Sequence, residues 1–432
     1  MQLLRLLRGG QWVALLGYAF FIGMMAVGYY YNLTFVQFGL FDLGTRLIGM
    51  THQQVAIQMA FLALLTSATA IFTGLLMKRR GWSKDLRIKL RLAFGVVLVQ
   101  TVLTWAAPAL TSQTGMLLWI MGASLALGVG VPATFSMTVD FIPIRDRGYA
   151  SAFITAIAYF FAATFSTSWT IEEFSRQILW LMAGGAVALG LLAFAPLPFV
   201  EQLAGLHQRK GYGHGRFVHL DPLTGRTWVS RRLIVLVLLM FGIFFIDSLG
   251  FLRLAETPVF FETAWQSPEF GVRLSIGIVH VIGALIAGIL YTTIGERYLF
   301  IWIFGIFAMV HLMYTFDARS SASGVLAMPI LYSLAVSLYT VVNFAIWADV
   351  STADNISRNT ALGVAISGWM ATFVSTAIAL QWKQQGVPLE RHLNIVDALA
   401  FTFFGIMLVL VLWPVRVQTQ PANARGKENN ET

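Results

Sequence analysis

Charged residues and cysteine are what this 432-residue sequence has least of. Only 11% of its residues are charged, 57% are hydrophobic, and the mean hydropathy is +0.73. Because soluble domains carry about 25% charged residues, this composition excludes a water-exposed globular surface, and it equally excludes a disordered chain. At about 20 residues for each helical crossing, the length allows a dozen crossings. The composition therefore predicts a polytopic membrane protein.

Other absences narrow the chemistry. With no cysteine, the chain has no disulfide, no thiolate metal site and no cysteine nucleophile. Its seven histidines never form a His-x-x-x-His or His-x-x-His pair, and the sequence has no Gly-x-x-x-x-Gly-Lys-Ser/Thr phosphate loop. We therefore expect no metal, no cofactor, no ATP site and no enzymatic activity.

Long apolar runs give the expected organisation. Six runs precede a polar stretch and six follow it, at about 12–34, 53–77, 88–110, 115–139, 147–170, 177–200, 232–254, 273–294, 298–316, 323–348, 360–382 and 394–415. This pattern predicts an all-α fold with twelve transmembrane helices in two six-helix bundles, at residues 1–200 and 232–417. Segment 201–231 is expected to be a cytoplasmic central loop, and 418–432 a disordered cytoplasmic tail.

The basic residues predict the orientation. If the N-terminus is cytoplasmic, 22 of the 29 Lys and Arg residues fall on the cytoplasmic side, which is the usual bias of membrane proteins. The net charge of +9 therefore reflects orientation, and no nucleic-acid partner is expected. Both termini are placed in the cytoplasm. We expect a monomeric, multi-pass protein of a bacterial cytoplasmic (inner) membrane, in contact with the lipid bilayer.

Two short segments recur in the two halves of the chain. The stretch from Gly74 to Gly81 returns as Gly288 to Gly295, 214 positions later. An acid followed by an arginine, Asp140 with Arg147, returns about 209 positions later as Asp349 with Arg358. Such similar offsets at two places indicate an internal structural repeat.

These residues resemble the loop motifs of the major facilitator superfamily. Its motif between helices 2 and 3 is Gly-x-x-x-Asp-Arg/Lys-x-Gly-Arg/Lys-Arg/Lys, and Gly74, Arg79 and Gly81 match it, with Lys78 where aspartate is usual. The second copy keeps Gly288, Gly295 and Arg297, and Arg147-Gly148 resembles the family's junction between helices 4 and 5. Helix 4 has no basic residue and helix 5 no glycine or proline motif, so no subfamily is assigned.

The resemblance implies two pseudo-symmetric six-helix bundles and secondary transport by alternating access. It also implies that helices 1, 4, 7 and 10 line a central cavity. Charge pairs at the cytoplasmic helix ends close the inner gate in this family. The positions that we assign to this gate are Gly74, Arg79, Gly81, Asp140, Arg147, Gly148, Gly288, Gly295, Arg297, Asp349 and Arg358. We expect Asp140 to pair with Arg147; the alternative for the basic residues is plain cytoplasmic anchoring.

Asp247 is the residue that most clearly suggests chemistry. It lies about fifteen residues into helix 7, or about 22 Å from the cytoplasmic end, where an acid costs about 3 kcal/mol to insert. His280 in helix 8 is expected at a similar depth, and an Asp–His pair can bind and release a proton near neutral pH. We predict that Asp247, with His280, couples transport to protons. The alternatives are an acid that fixes helix packing and a core histidine.

Further polar and aromatic residues on the helices expected to line the cavity are candidates for substrate contact: Tyr30, Asn32, Phe244, Tyr339 and Asn343. Tyrosine also gathers at membrane interfaces, which is the alternative explanation for those near helix ends. An aromatic cavity with few charges suits an amphipathic organic solute better than an inorganic ion.

Two functional hypotheses remain after the sequence is considered. The first is a secondary transporter that moves a small, amphipathic organic solute by alternating access, with possible coupling to protons. The second is a protein of the same fold that does not transport and acts as an assembly factor, binding a protein partner, a pigment or a lipid in the membrane. The absent acid at Lys78 and Thr292 in the two loop motifs favours the second hypothesis.

Overall fold

The computed structural model describes residues 11–165, 168–209, 211–218, 231–255, 266–294, 296–320 and 327–412. In these ranges the chain is helical, with one isolated β-bridge and no strand. Twelve of its helices are long and apolar enough to cross a membrane: α1 (Trp12–Leu47), α2 (His52–Arg79), α3 (Leu86–Ala109), α4 (Gln113–Phe141), α5 (Ile144–Phe165), α6 (Ile171–Phe194), α7 (Arg232–Phe251), α8 (Phe270–Thr293), α9 (Tyr298–Phe316), α10 (Ala327–Asp349), α11 (Ile356–Gln384) and α12 (Leu389–Val409).

Each apolar run of the sequence corresponds to one of these helices, so the prediction of an all-α integral membrane protein with twelve spans is confirmed. Large apolar side chains such as Trp105, Trp180 and Phe72 are mostly exposed on the helix bundle. In a soluble protein such a surface would be unstable, whereas in a bilayer these side chains contact lipid.

Helix α1 is longer than its apolar run predicts. It continues for 13 residues beyond position 34 through two π-helical segments, Asn32–Gly39 and Leu43–Leu47. A π turn widens the helix and is common at functional sites. At its far end, Asp42 accepts a hydrogen bond from the backbone N–H of Ile171 at 2.9 Å and pairs with Arg46 at 2.7 Å. These polar contacts stabilise the extension where the apolar sequence ends.

Small polar residues begin the even-numbered helices of the first half. Thr51, Ser112 and Thr170 each accept a hydrogen bond from a backbone N–H in the first turn of α2, α4 and α6. Such caps satisfy N–H groups that have no partner inside the helix. We call this end of the bundle the outer end, and the opposite end, which carries the central segment at 198–209 and 211–218, the inner end.

The first six helices meet the last six along two matched seams. Helix α2 packs against α11, and α5 packs against α8. Both seams depend on glycine at the inner end: a Cβ atom on Gly74 would lie 2.7 Å from the Ser357 carbonyl oxygen, and one on Gly148 would lie 3.0 Å from the Gly288 carbonyl oxygen. Only glycine permits backbones this close. The repeated glycines of the sequence therefore mark the two seams.

Candidate functional site: central cavity and inner gate

A cavity of about 730 Å³ lies between the two halves. Residues from α1, α4, α7 and α10 line it, together with residues of neighbouring helices. Its wall includes Thr134 and Asn343 on the inner side and reaches Phe41, Gln266 and Leu380 towards the outer end. This volume is typical of a pocket for a small organic molecule.

Asp247 lies on the wall of this cavity and is half-buried. Its carboxylate accepts two hydrogen bonds from α10: Tyr339 Oη donates to Oδ2 at 2.8 Å, and Tyr332 Oη donates to Oδ1. The two tyrosines are seven residues apart, so they lie on the same face of α10. No Lys, Arg or His of the described chain forms an ion pair with Asp247.

His280 also lines the cavity, but it is not paired with Asp247. Its Nδ1 lies 3.0 Å from Ser337 Oγ, and its ring stacks on Tyr159 with centroids 4.3 Å apart and planes at 6°. The hydroxyl of Tyr159 is in turn 3.0 Å from that of Tyr29. The expected Asp–His pair therefore does not form in this conformation, because the serine and the tyrosine hold the imidazole elsewhere on the wall.

Four of the five substrate-contact candidates line the cavity. Asn32, Phe244, Tyr339 and Asn343 are on its wall. Tyr30 is not: it is buried, and its hydroxyl donates to Oε1 of Gln177 in α6 at 2.9 Å. Successive residues of a helix point about 100° apart, so the two neighbours of Tyr30 are the tyrosines that line the cavity.

The cavity wall is aromatic and carries little charge. Asp247 is the only carboxylate among the described residues that line it, and none of them is Lys or Arg. The aromatic side chains on the wall are Phe20, Tyr29, Tyr31, Phe38, Phe41, Phe135, Tyr159, Phe244, Phe251, Tyr332, Tyr339, Phe344, Trp369 and Phe373. The arrangement can hold an organic molecule by aromatic contact and by a few directed polar groups.

A buried ion pair joins the two halves at the inner end. Arg147 at the start of α5 donates through Nη1 to Oδ1 of Asp349, the last residue of α10, at 2.9 Å. The same atom donates to the Ala348 carbonyl, and Nη2 donates to the Tyr212 carbonyl at 2.7 Å. Both charged side chains are essentially inaccessible to solvent. At the inner end the two halves are therefore joined by a desolvated ion pair with supporting hydrogen bonds.

The central segment runs across this ion pair. The Phe217 N–H donates to the Asp349 carbonyl at 2.8 Å, and Arg216 donates to the Tyr291 carbonyl at 2.8 Å. The Arg216 guanidinium also lies over the Phe217 and Tyr291 rings, at 4.5 and 4.6 Å from their centroids. Burial raises the pKa of the Tyr212 phenol, so this residue enters the cluster as a neutral group. The central segment thus joins the ends of α5, α8 and α10.

Asp140 does not pair with Arg147, which corrects our expectation. Its Oδ2 accepts from Lys89 Nζ of α3 at 2.5 Å, and its Oδ1 lies 3.5 Å from His207 Nδ1. Lys89 and Asp140 are both fully buried. The chain turns sharply after Phe141, so α5 begins on another face of the bundle and places Arg147 towards α10.

The remaining gate candidates have different environments. Arg79 is exposed and has no described acidic partner, whereas Gly81 has a φ of +72° that lets the chain turn after α2. Arg358 is buried and donates to Oδ1 of Asn359 at 2.9 Å. Gly295 and the side chain of Arg297 lie outside the described residues.

Three residues that contribute to these sites were not predicted from the sequence. Tyr332 precedes Tyr339 by seven residues, a spacing that could have indicated a shared face. Lys89 shares a helix face with the buried Leu86 and Ala93, and a basic residue at that spacing is a signal of a buried partner. Arg216 lies in a polar segment with no periodicity, so no sequence signal could have found it.

Comparison with known proteins identifies the fold of the chain. No family model and no curated protein sequence matches the chain. Among solved structures, the proton:xylose symporter XylE bound to 6-bromo-6-deoxy-D-glucose aligns with a TM-score of 0.60 at 14% identity, over 92% of this chain and 96% of that chain. The human organic anion transporter MFSD10 (TETRAN) aligns with a TM-score of 0.59 at 12% identity, over 91% and 98%.

A second structure of XylE, from E. coli in a partially occluded inward open conformation, aligns with a TM-score of 0.58 at 13% identity, over 92% and 98%. These full-length alignments show that the chain has the fold of the major facilitator superfamily. The resemblance inferred from the loop motifs is thus confirmed for the fold. The matched proteins are named as transporters.

Proposed function

We propose that this protein is a secondary transporter that moves a small, amphipathic organic solute across the membrane by alternating access. The observation that carries the proposal is the cavity between the two halves, closed at its inner end by the Arg147–Asp349 pair. The named functions of the structurally similar proteins, symport and organic solute transport, agree with it.

The two six-helix units, residues 1–200 and 232–417, are the parts that rock against each other. The pair joins one residue from each unit, so inward opening must separate these two charges. A solute can drive the change only if it binds one state more tightly than the other. The glycine seams between α2 and α11 and between α5 and α8 permit the close approach that the closed state needs.

Proton coupling is assigned to Asp247. It is the one ionisable carboxylate on the cavity wall among the described residues, and acids at this depth commonly mark ion paths. The titratable groups around it are its two hydrogen-bond donors, Tyr332 and Tyr339, and two further phenols within reach of its charge, Tyr29 and Tyr159. The His280 ring stacks on Tyr159. Protonation of Asp247 would remove a charge from the cavity and change the relative stability of the two states.

The first experiment measures the thermal stability of the purified protein against a chemically broad solute panel, at a mildly acidic and a neutral pH. A solute that binds the folded state raises the melting temperature. Each hit is then tested in proteoliposomes for accumulation driven by a pH gradient. We expect accumulation by the wild type and its loss in Asp247→Asn.

Two outcomes would contradict this proposal. If Asp247→Asn keeps concentrative uptake and its pH dependence, proton coupling through Asp247 is contradicted, while the transporter proposal stands. A panel in which no solute binds or moves would favour the assembly-factor hypothesis over transport and direct attention to protein partners.

We also propose that the inner end of the bundle faces the cytoplasm of a bacterial cell, with the protein monomeric in the inner membrane. Lys84, which pairs with Asp354 at 2.9 Å, is more than half exposed at this end. Because the chain lacks cysteine, a single Lys84→Cys variant tests the orientation directly. A membrane-impermeant thiol reagent is expected to label it in inverted vesicles and not in intact cells; labelling in intact cells would reverse the assignment.

A further inference from the structure

We propose that the cavity binds a monovalent organic cation, such as a protonated or quaternary amine on an apolar body, with Asp247 as its counter-charge. This inference rests on the proposed function, since it names the charge class of the transported solute. Three features of the site support it: the charge of the cavity wall, the hydrogen bonds of Asp247 and the rings that surround this residue.

The cavity wall has one carboxyl group, that of Asp247, and no Lys or Arg among its described residues. An unpaired carboxylate inside a membrane is costly, and proteins normally pair it. Arg253, two residues beyond the end of α7, instead donates to the Val387 carbonyl between α11 and α12 at 3.3 Å, and it does not line the cavity. The compensating positive charge must therefore come from a proton or a solute that enters the cavity.

The hydrogen bonds of Asp247 leave room for such a solute. Tyr332 donates to one carboxylate oxygen and Tyr339 to the other, and each oxygen keeps a further lone pair. The half-buried side chain lies on the cavity wall, so a ligand N–H or ammonium group can approach it. Asn32 adds an acceptor, because its Oδ1 is buried on the same cavity with no hydrogen-bond partner in the described chain.

The rings around Asp247 favour an organic cation over an inorganic one. Phe244 contacts Tyr339 edge-on at 4.8 Å, and Phe251 stacks on Tyr332 at 6.0 Å, so a phenylalanine ring packs on each of the two tyrosines that bind the carboxylate. Aromatic faces attract cations and repel anions. A divalent metal ion instead needs about six oxygen ligands, and here one carboxylate stands among apolar rings. The site therefore fits a cation that carries its own apolar surface.

The test compares three molecules that share a benzyl group and differ in charge. These are benzyltrimethylammonium, the neutral 2-methyl-1-phenyl-2-propanol and the anion benzylsulfonate. Binding to the purified full-length protein is measured by calorimetry. We expect the cation to bind about tenfold or more tightly than the other two, because its fixed positive charge is attracted by the carboxylate and by the aromatic faces.

Three variants separate the carboxylate from general effects of substitution. Asp247→Asn is expected to lose the preference for the cation, while Asp247→Glu, which keeps the charge, retains it. Asp354→Asn makes the same chemical change in an exposed ion pair with Lys84, away from the cavity, and should leave the preference unchanged. If Asp247→Asn still binds the neutral alcohol as the wild type does, its loss of the cation preference is not a loss of folding.

The inference fails if the cation does not bind, if the neutral or anionic probe binds as tightly, or if Asp247→Asn keeps the cation preference. This failure is distinct from that of the proposed function. Accumulation of a neutral or anionic solute in proteoliposomes would support the transporter proposal and contradict the inference that the solute is a cation. Absence of transport for every charge class, by contrast, would contradict the transporter proposal.

Discussion

Arg147 and Asp349 are 202 positions apart in sequence and form a buried ion pair, with 2.9 Å between Nη1 and Oδ1, across the two halves of the molecule. Each is also tied to its surroundings. Arg147 donates to the carbonyls of Ala348 and Tyr212, and Asp349 Oδ2 accepts from the Tyr291 hydroxyl at 2.9 Å. Desolvated pairs of this kind are stable only when both partners are present, which suits a contact that is made in one state and broken in another.

Removing one charge of this pair should open the inner gate. In Asp349→Asn, the Arg147 guanidinium stays buried without a counter-charge, which costs about 3–5 kcal/mol. The closed state should therefore lose population to the inward-open state. The measurement uses a single cysteine at Thr134, on the inner side of the cavity, and a membrane-impermeant reagent applied from the inner side of oriented vesicles. We expect labelling about tenfold faster or more than in the unsubstituted background.

The exposed Lys84–Asp354 pair at the same end provides the matched control. Exposed pairs contribute about 0–1 kcal/mol, so Asp354→Asn should leave the labelling rate of the Thr134 cysteine unchanged. Equal rates in Asp349→Asn and in the background would show that the Arg147–Asp349 pair does not hold the gate closed.

The Lys89–Asp140 pair makes a different prediction, because both residues belong to the first half. Their side chains are fully buried and 2.5 Å apart. Lys89→Met or Asp140→Leu alone leaves an uncompensated buried charge and should lower the free energy of unfolding by about 3–5 kcal/mol. The double variant removes both charges and should recover most of this loss. Thermal unfolding of the purified variants provides the measurement.

An exposed ion pair nearby serves as the control for the size of the stability change. Arg87 and Glu201 are 3.1 Å apart and exposed, so Arg87→Ala should change stability by less than about 1 kcal/mol. A double variant as unstable as the sum of the two single variants would mean that the buried residues act independently and that the pair is not the source of the loss.

The twelve helices were predictable because lipid imposes a simple rule: a crossing segment must be apolar and long enough. The cavity position of Asp247 was predictable for a related reason, since an acid at that depth needs a functional or structural partner. The extension of α1 was not predictable, because it depends on π turns and on polar contacts of Asp42 with the start of α6.

The partners in the buried ion pairs could not be predicted from the sequence either. Asp140 and Arg147 flank the junction between helices 4 and 5, where the family resemblance favoured pairing them, yet the turn between α4 and α5 separates their directions. Asp140 instead finds a partner 51 positions earlier, and Arg147 finds one 202 positions later. Which charged residues pair depends on the rotation of each helix about its axis and on which helix packs against it. Neither can be inferred from local periodicity.

Gly28 offers a test of the cavity that perturbs packing little. It lies on the cavity wall in α1, and a Cβ atom added there would have no neighbour within 4 Å. Gly28→Leu should therefore fold normally, with stability raised by up to about 1 kcal/mol because glycine is a poor helix former. The new side chain would enter the cavity, so solute binding is expected to weaken.

Gly95 is the matched control, since it also lies inside a helix with no atom within 4 Å of an added Cβ, but it does not line the cavity. Gly95→Leu should change stability in the same direction and leave binding intact. The measurement pairs thermal unfolding with calorimetric binding of a solute identified by the stability panel. If Gly28→Leu bound that solute as tightly as Gly95→Leu does, the solute would occupy a different part of the molecule, and the cavity would lose its assignment as the transport site.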